Sequence, residues 1–201
     1  MSNFLAIDTS SRHLSVLAVK GDKKVLRHIP DCAMNHSVIL MDEIDEALKG
    51  AKLEPFECDF FCAVTGPGSF TGIRIGIATA KGFALGTGKK LLPLTSFDAI
   101  AYNVNSENFY TVIDAAHDHF YVCGYGEGRK ITLEPSYMGL EQVLSLKFPL
   151  FGFEQLPLKN YTRLKADECL FNAVKLNENN LSNEMSALYV RKSQAEEGRK
   201  C

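Results

Sequence analysis

The stretch Thr65-Gly66-Pro67-Gly68-Ser69-Phe70-Thr71-Gly72-Ile73-Arg74-Ile75-Gly76 constrains the fold more than any other, because a buried-strand pattern meets a helix there through a loop that needs glycine. Residues 60 to 64, Phe-Phe-Cys-Ala-Val, form the continuous apolar run of a strand covered on both faces. Gly-Pro-Gly breaks the run, since glycine tolerates positive φ and proline biases the residue before it away from helix. Ser69 or Thr71 supplies a capping hydroxyl, and the helix start carries free N–H groups suited to an anion. The helix expected over residues 72 to 86 is apolar nearly all round. Ile73, Ile77, Ala80 and Ala84 share one face, and Ile75, Gly82, Phe83 and Gly86 lie opposite. Its only charges are Arg74 and Lys81. Such a helix should be buried nearly all round, either by the rest of its own chain or by a second subunit, and periodicity alone leaves both open.

A chain of 201 residues is long enough to bury roughly 70% of its unfolded surface. Its formal net charge of −2 gives no global basic excess of the kind that advertises nucleic acid. Cys32, Cys58, Cys62, Cys123, Cys169 and Cys201 include no C-x-x-C pair, and Met1-Ser2-Asn3 leads straight into a strand pattern. The expectation is a cytoplasmic protein with reduced thiols. No apolar run approaches the roughly 18 residues of a membrane span.

Residues 4 to 8, 14 to 19 and 24 to 29 read as an antiparallel meander with turns at 9 to 12 and 20 to 23. A helix over 37 to 49 should bury Leu40, Met41, Ile44, Ala47 and Leu48 and end at Gly50, with Val38 and Ile39 outside the arc. After the central strand and helix come a strand at 91 to 94 and a short helix capped by Thr95 or Ser96. The polar stretch 103 to 108 divides the halves, giving domains 1–104 and 105–201. Sliding the sequence by 106 positions sets Asp8 on Asp114, Leu14 on Phe120, Val16 on Val122 and Val25 on Ile131, which points to an internal duplication. The second copy should add a helix over 139 to 147, an apolar run at 148 to 153, a helix near 166 to 176, a strand at 187 to 190 and a fraying tail.

Two β-β-β-α-β-α halves, each with an Asp ending its first strand, resemble the plan of actin-like, RNase H-like ATPases and sugar kinases. That resemblance implies an interlobe cleft in which such aspartates handle the metal and phosphates of ATP. Asp8-Thr9-Ser10 is similar to the first phosphate loop, whereas Asp114-Ala115-Ala116 lacks the glycines of the second. His36 has Leu40 one turn on in place of a second metal ligand, and His117 and His119 flank a turn. No metal site is expected.

Leu5-Ala6-Ile7-Asp8-Thr9-Ser10, Asn35-His36-Ser37, the 66 to 76 motif, Ile113-Asp114-Ala115 and Tyr189-Val190-Arg191 closely resemble the bacterial TsaB (YeaZ) family, whose relatives have often been labelled glycoproteases. The resemblance implies a non-catalytic subunit needed for threonylcarbamoyl transfer to the tRNA adenosine next to the anticodon. It further implies a heterodimer with a TsaD paralogue, a TsaE ATPase joining them, a homodimer when alone, and tRNA engaged only through the complex. No cofactor is expected to be held tightly; weak ATP or ADP binding would use Asp8, Thr9, Ser10, Gly66, Gly68, Ser69, Thr71 and Gly72. The partner surface implied comprises His36, Ile39, Ile73, Arg74, Ile77, Ala80, Lys81 and Ala84. The rival expectation is an active enzyme of the same fold, an ATP-dependent kinase or a metallopeptidase.

Overall fold

The computed structural model describes residues 2–191; the tail expected to fray, with Cys201, lies outside them. Strands β1 (Phe4–Asp8), β2 (Leu14–Lys20) and β3 (Lys23–Ile29) form the meander, and β4 (Phe60–Val64) and β5 (Lys90–Leu94) extend it. The sheet order is β3-β2-β1-β4-β5, with β2 antiparallel to β1 and β4 parallel to it. Alternation along β1 sends Leu5 and Ile7 to one face and Phe4 and Ala6 to the other. Both faces are covered, which is why β1 and β4 read as unbroken apolar runs.

Helices α1 (His36–Ala51) and α2 (Phe70–Thr87) cover the Leu5 and Ile7 face. From α1, Leu40, Ile44, Ala47, Leu48 and Ala51 are buried, but Met41, at the edge of the expected arc, is 55% exposed. The helix does not end at Gly50. Lys52 takes the left-handed terminal conformation (φ 55°), with its N–H bonded to Leu48 O and Lys49 O.

The second sheet, in order β10-β9-β6-β7-β8, repeats the first with β6 (Phe109–Asp114), β7 (His119–Tyr125), β8 (Ile131–Gly139), β9 (Leu150–Gly152) and β10 (Tyr161–Arg163). Both aspartates make the same turn: Oδ1 of Asp8 accepts the Ser10 N–H and Oδ1 of Asp114 accepts the Ala116 N–H, each at 2.9 Å. The duplication is real, but the ungapped offset is not. Asp8 faces Ser15 whereas Asp114 faces Phe120, so the second turn is one residue shorter and the match of Leu14 to Phe120 is out of register.

The second half departs from its expected elements in three places. Helix α4 (Leu140–Leu144) is shorter than the expected 139 to 147, β10 is not among the expected strands, and 187 to 190 are not a strand. The chain instead returns to the first lobe, where Ser182 bridges Leu91 and the Leu188 N–H donates to Thr65 O at 2.8 Å. Helix α5 (Ala166–Asn177) also crosses over, laying Leu170, Ala173 and Val174 on the Phe4 and Ala6 face of the first sheet. A cut between 104 and 105 separates the sequence repeats, but the packing runs across it.

Among the described residues no helix is long and apolar enough to cross a membrane. The five described cysteines are buried and outside any disulfide among the described residues. Burial pushes the Cys58 thiol up to about 12 and the Cys123 thiol up to about 11, which makes them packing groups and not nucleophiles.

Candidate functional site

The turn after β1 lies directly against the start of α2, and glycine is what permits it. A Cβ on Gly68 would sit 2.1 Å from Ser10 O, and one on Gly72 would sit 2.0 Å from Thr9 O. Across this contact the Ser69 N–H donates to Ser10 O and the Thr9 hydroxyl donates to Gly72 O, both at 2.7 Å. Ser69, not Thr71, caps α2, its hydroxyl accepting the Gly72 N–H at 3.2 Å. Ser96, first residue of α3 (Ser96–Ala101), closes the group by donating its N–H to Gly66 O and its hydroxyl to Ser10 Oγ.

Asp8, Thr9, Ser10, Gly66, Gly68, Ser69 and Gly72 are therefore brought together, while Thr71 is exposed inside the helix. Part of the arrangement is satisfied from within. The Ser69 and Gly72 N–H groups, which an anion would need, already have acceptors within the chain.

Beside this turn sits a polar cluster that sequence reading divided among unrelated elements. His36 is 2% exposed, and among the described residues neither ring nitrogen has a partner at hydrogen-bond geometry. Burial holds its pKa below the ordinary histidine range, against the pull of the Asp8 carboxylate. Burial raises the Asp8 carboxyl, opposed by its hydrogen bonds from Ser10. Glu154, on the loop after β9, carries an Oε2 shielded from water without a partner. Burial pushes its pKa up to about 7, helped by the charges of Asp114 and Asp8.

A carboxyl whose folded pKa exceeds its unfolded value contributes stability present below the unfolded pKa and lost as pH rises through the folded one. Relative to wild type, Glu154→Gln should therefore gain stability as pH rises from about 4.5 to about 7. Paired denaturation curves across that window test this; parallel pH profiles for the two proteins would contradict it.

Of the residues expected on the partner surface, Ile73, Ile77, Ala80 and Ala84 of α2 are buried in the chain's own core against the first sheet, and His36 is buried at the start of α1. Ile39 is half-buried against the same core, and only Arg74 and Lys81 are exposed. Arg74 lies 3.7 Å above the Phe70 ring and donates through Nε to Tyr189 OH at 2.9 Å.

An exposed apolar surface lies beside the opposite stripe, whose Ile75 and Phe83 are half-buried against the core. A groove of about 440 Å³ runs between α1 and α2, lined by Met41, Phe56, Gly82, Phe83 and Gly86 among others. Phe56 is 70% exposed and Leu85 88%. Phe56 carried no signal in the sequence, since it stands in a short 3-10 turn, Pro55–Glu57, outside any periodic element. Among the described residues no three His, Cys, Asp or Glu side chains converge as metal ligands.

Duplicated five-stranded sheets, each opening with an aspartate-terminated strand and a meander, define an actin-like, RNase H-like two-lobed protein. The chain belongs to the family described as TsaD, tRNA N6-adenosine threonylcarbamoyltransferase, whose model matches residues 29–188. Within it the chain is similar to TsaB of Haemophilus influenzae (34% identical over 123 residues, 58% of this chain and 51% of that protein). It is likewise similar to TsaB of Bacillus subtilis (31% over 99 residues, 49% and 43%), so it spans about half the length of the curated relatives it matches. The solved structure of YeaZ from Pseudomonas aeruginosa shares its fold, with a TM-score of 0.73 at 20% identity over 94% of this chain and 100% of that one. The resemblance to TsaB and YeaZ read from the motifs is thereby borne out.

Proposed function

We propose that this chain is a partner subunit in the formation of threonylcarbamoyladenosine in tRNA, acting by docking a TsaD-type paralogue against the groove between α1 and α2. The observation that carries this is the exposed apolar surface beside α2, with Met41 and Phe56 on it. A soluble chain rarely leaves such a surface bare without a partner for it. Gly82 and Gly86 have nothing within 4 Å of an added Cβ, so a partner helix can approach the α2 backbone closely there.

On this reading a TsaE-type ATPase joins the pair, the isolated chain associates with itself through the same groove, and tRNA is engaged by the assembled complex in the cytoplasm. ATP or ADP binds the isolated chain weakly, because the donors at the start of α2 are engaged internally. The test mixes the full chain with TsaD-type and TsaE-type proteins of the same genome and measures threonylcarbamoyladenosine in tRNA, alongside calorimetry of ATP with the chain alone. Modification that needs all three proteins is the expected result. Equal modification without this chain, or tight ATP binding with rapid hydrolysis by it alone, would instead support an enzyme of the same fold.

A further inference from the structure

We propose that the cavity formed by the turn before β2, the end of β3 and the junction of β10 with α5 binds a phosphate group carried on a nucleotide or nucleic-acid strand. It encloses about 340 Å³ and is lined by His13, His28, Asp31, Phe153, Arg163 and Lys165 among others. That volume falls in the range of roughly 300–1,000 Å³ typical of small-molecule sites. The cavity is separate from the turn–helix contact at Gly68 and Gly72 and from the groove between α1 and α2.

The basic side chains here are held in place from behind. Nδ1 of His13 lies 3.2 Å from the Asp31 N–H and accepts from it, so neutral His13 must carry its proton on Nε2 and present a donor there. His28 is fixed through Nδ1 by the Ser15 hydroxyl at 2.9 Å, and the two imidazole rings stand 5.5 Å apart. Arg163 donates through Nε to Phe153 O at 2.8 Å, which fixes the plane of its guanidinium.

Two acids among the described side chains nearby already have partners. The Asp31 carboxylate pairs with Arg12 at 2.7 Å, and Glu168 in the first turn of α5 pairs with Lys165 at 3.0 Å. Among the described side chains Arg163 is left out of these ion pairs. The charges facing His13 are those of His28, Arg12 and Arg163 on the positive side and Asp31 on the negative. Burial first, and then His28, lower its pKa, against the pull of Asp31.

Phosphate is the anion that fits such a fork of donors, since a guanidinium presents parallel N–H groups to two of its oxygens. The start of α5, whose capping residue Lys165 makes no side-chain cap, adds the partial positive end of a 12-residue helix. Phe153, Leu164 and Pro30 form apolar walls that inorganic phosphate would leave unused, which favours a phosphate attached to a larger group.

This inference does not depend on the partner-subunit reading, because it concerns the chain by itself. The experiment titrates the purified full chain with inorganic phosphate, AMP and a short single-stranded RNA, following the histidine imidazole resonances by NMR. Saturable movement of the His13 and His28 resonances is expected, with His117 and His119 on the second lobe serving as unmoved references. Arg163→Ala should weaken the response by about tenfold or more, with Arg163→Lys restoring part of it. Lys165→Ala provides a second variant at an exposed position.

Binding should weaken as pH rises through the range where His13 loses its proton, which burial holds below the ordinary histidine value. AMP matching RNA would assign the site to a mononucleotide, while tighter RNA binding that falls steeply with salt would assign it to a strand backbone. The proposal fails if none of the three ligands moves His13 and His28, or if folded Arg163→Ala and Lys165→Ala both bind as wild type does.

Discussion

Aspartate at Ile77 should unfold much of the first lobe, whereas aspartate at Phe56 should leave the isolated chain intact and remove its ability to associate. Ile77 is 8% exposed and packs with Leu5, Ile7 and Phe61 beneath α2. Losing its burial costs roughly 1.5–3 kcal/mol, and the carboxylate would add an unpaired charge to apolar surroundings. A combined loss of about 4 kcal/mol or more is a large part of the 5–15 kcal/mol that holds a typical domain together. For a chain of this size it should lower the melting temperature by roughly 10 °C.

Phe56 is 70% exposed and stands on the lip of the groove, so its replacement should change the melt by no more than about 0.5 kcal/mol. If the groove is the partner surface, the new charge must be desolvated against an apolar partner, and association should weaken by about thirtyfold or more. Met41→Asp, on the other side of the groove, gives an independent check. Thermal melts and gel filtration with the TsaD-type protein read both properties. A folded Phe56→Asp and a folded Met41→Asp that each still form the complex would place the interface elsewhere.

The contrast between Ile77 and Phe56 also marks how far the sequence could be read. The meander, the central strand and helix, the capped turn at Thr95 and the repetition of the aspartate turn were all legible, because each rests on local chemistry. Alternation, capping hydroxyls and turn formers act over a few residues, and here they agree with the fold. Which face of α2 is covered was not legible, since both faces are apolar and only the packing of Ile73 and Ile77 on β1 and β4 decides between them.

The second half was harder for a related reason. Its strand β9 is three residues long and α4 is five, too short for periodicity to declare, and the last residues find their partners on the first lobe. The electrostatic pull of Asp8 on His36 and of Asp114 and Asp8 on Glu154 links positions far apart in sequence, and no spacing rule announces such a meeting. The glycines of the 66 to 76 motif were legible as special but for only part of the right reason. Positive φ applies at Gly66 (102°) and Gly68 (153°), whereas Gly72 and Gly76 are small because another piece of backbone or side chain lies against them.

That last distinction yields a prediction of opposite sign within one helix. Gly72→Ala and Gly82→Ala both add one methyl group to α2, and intrinsic helix propensity favours both by roughly 0.5–1 kcal/mol. At Gly82 nothing lies within 4 Å of the new Cβ, so the isolated chain should gain about that amount. At Gly72 the Cβ would meet Thr9 O at 2.0 Å, and that atom belongs to backbone that cannot rotate away. Separating the turn from the helix would stretch the Thr9 hydroxyl bond to Gly72 O and the Ser69 N–H bond to Ser10 O, both 2.7 Å and largely out of water. Each buried bond lost costs about 1 kcal/mol, and more where a donor is left unsatisfied. A net destabilisation of about 3 kcal/mol or more is therefore expected for Gly72→Ala. Chemical denaturation of the two variants beside wild type should place their midpoints on opposite sides of it. If Gly72→Ala unfolds with wild type, the contact between the first turn and α2 is not what anchors the lobe. If Gly82→Ala is stabilised yet binds the TsaD-type protein less well, the smallness of that glycine serves the partner and not the chain itself.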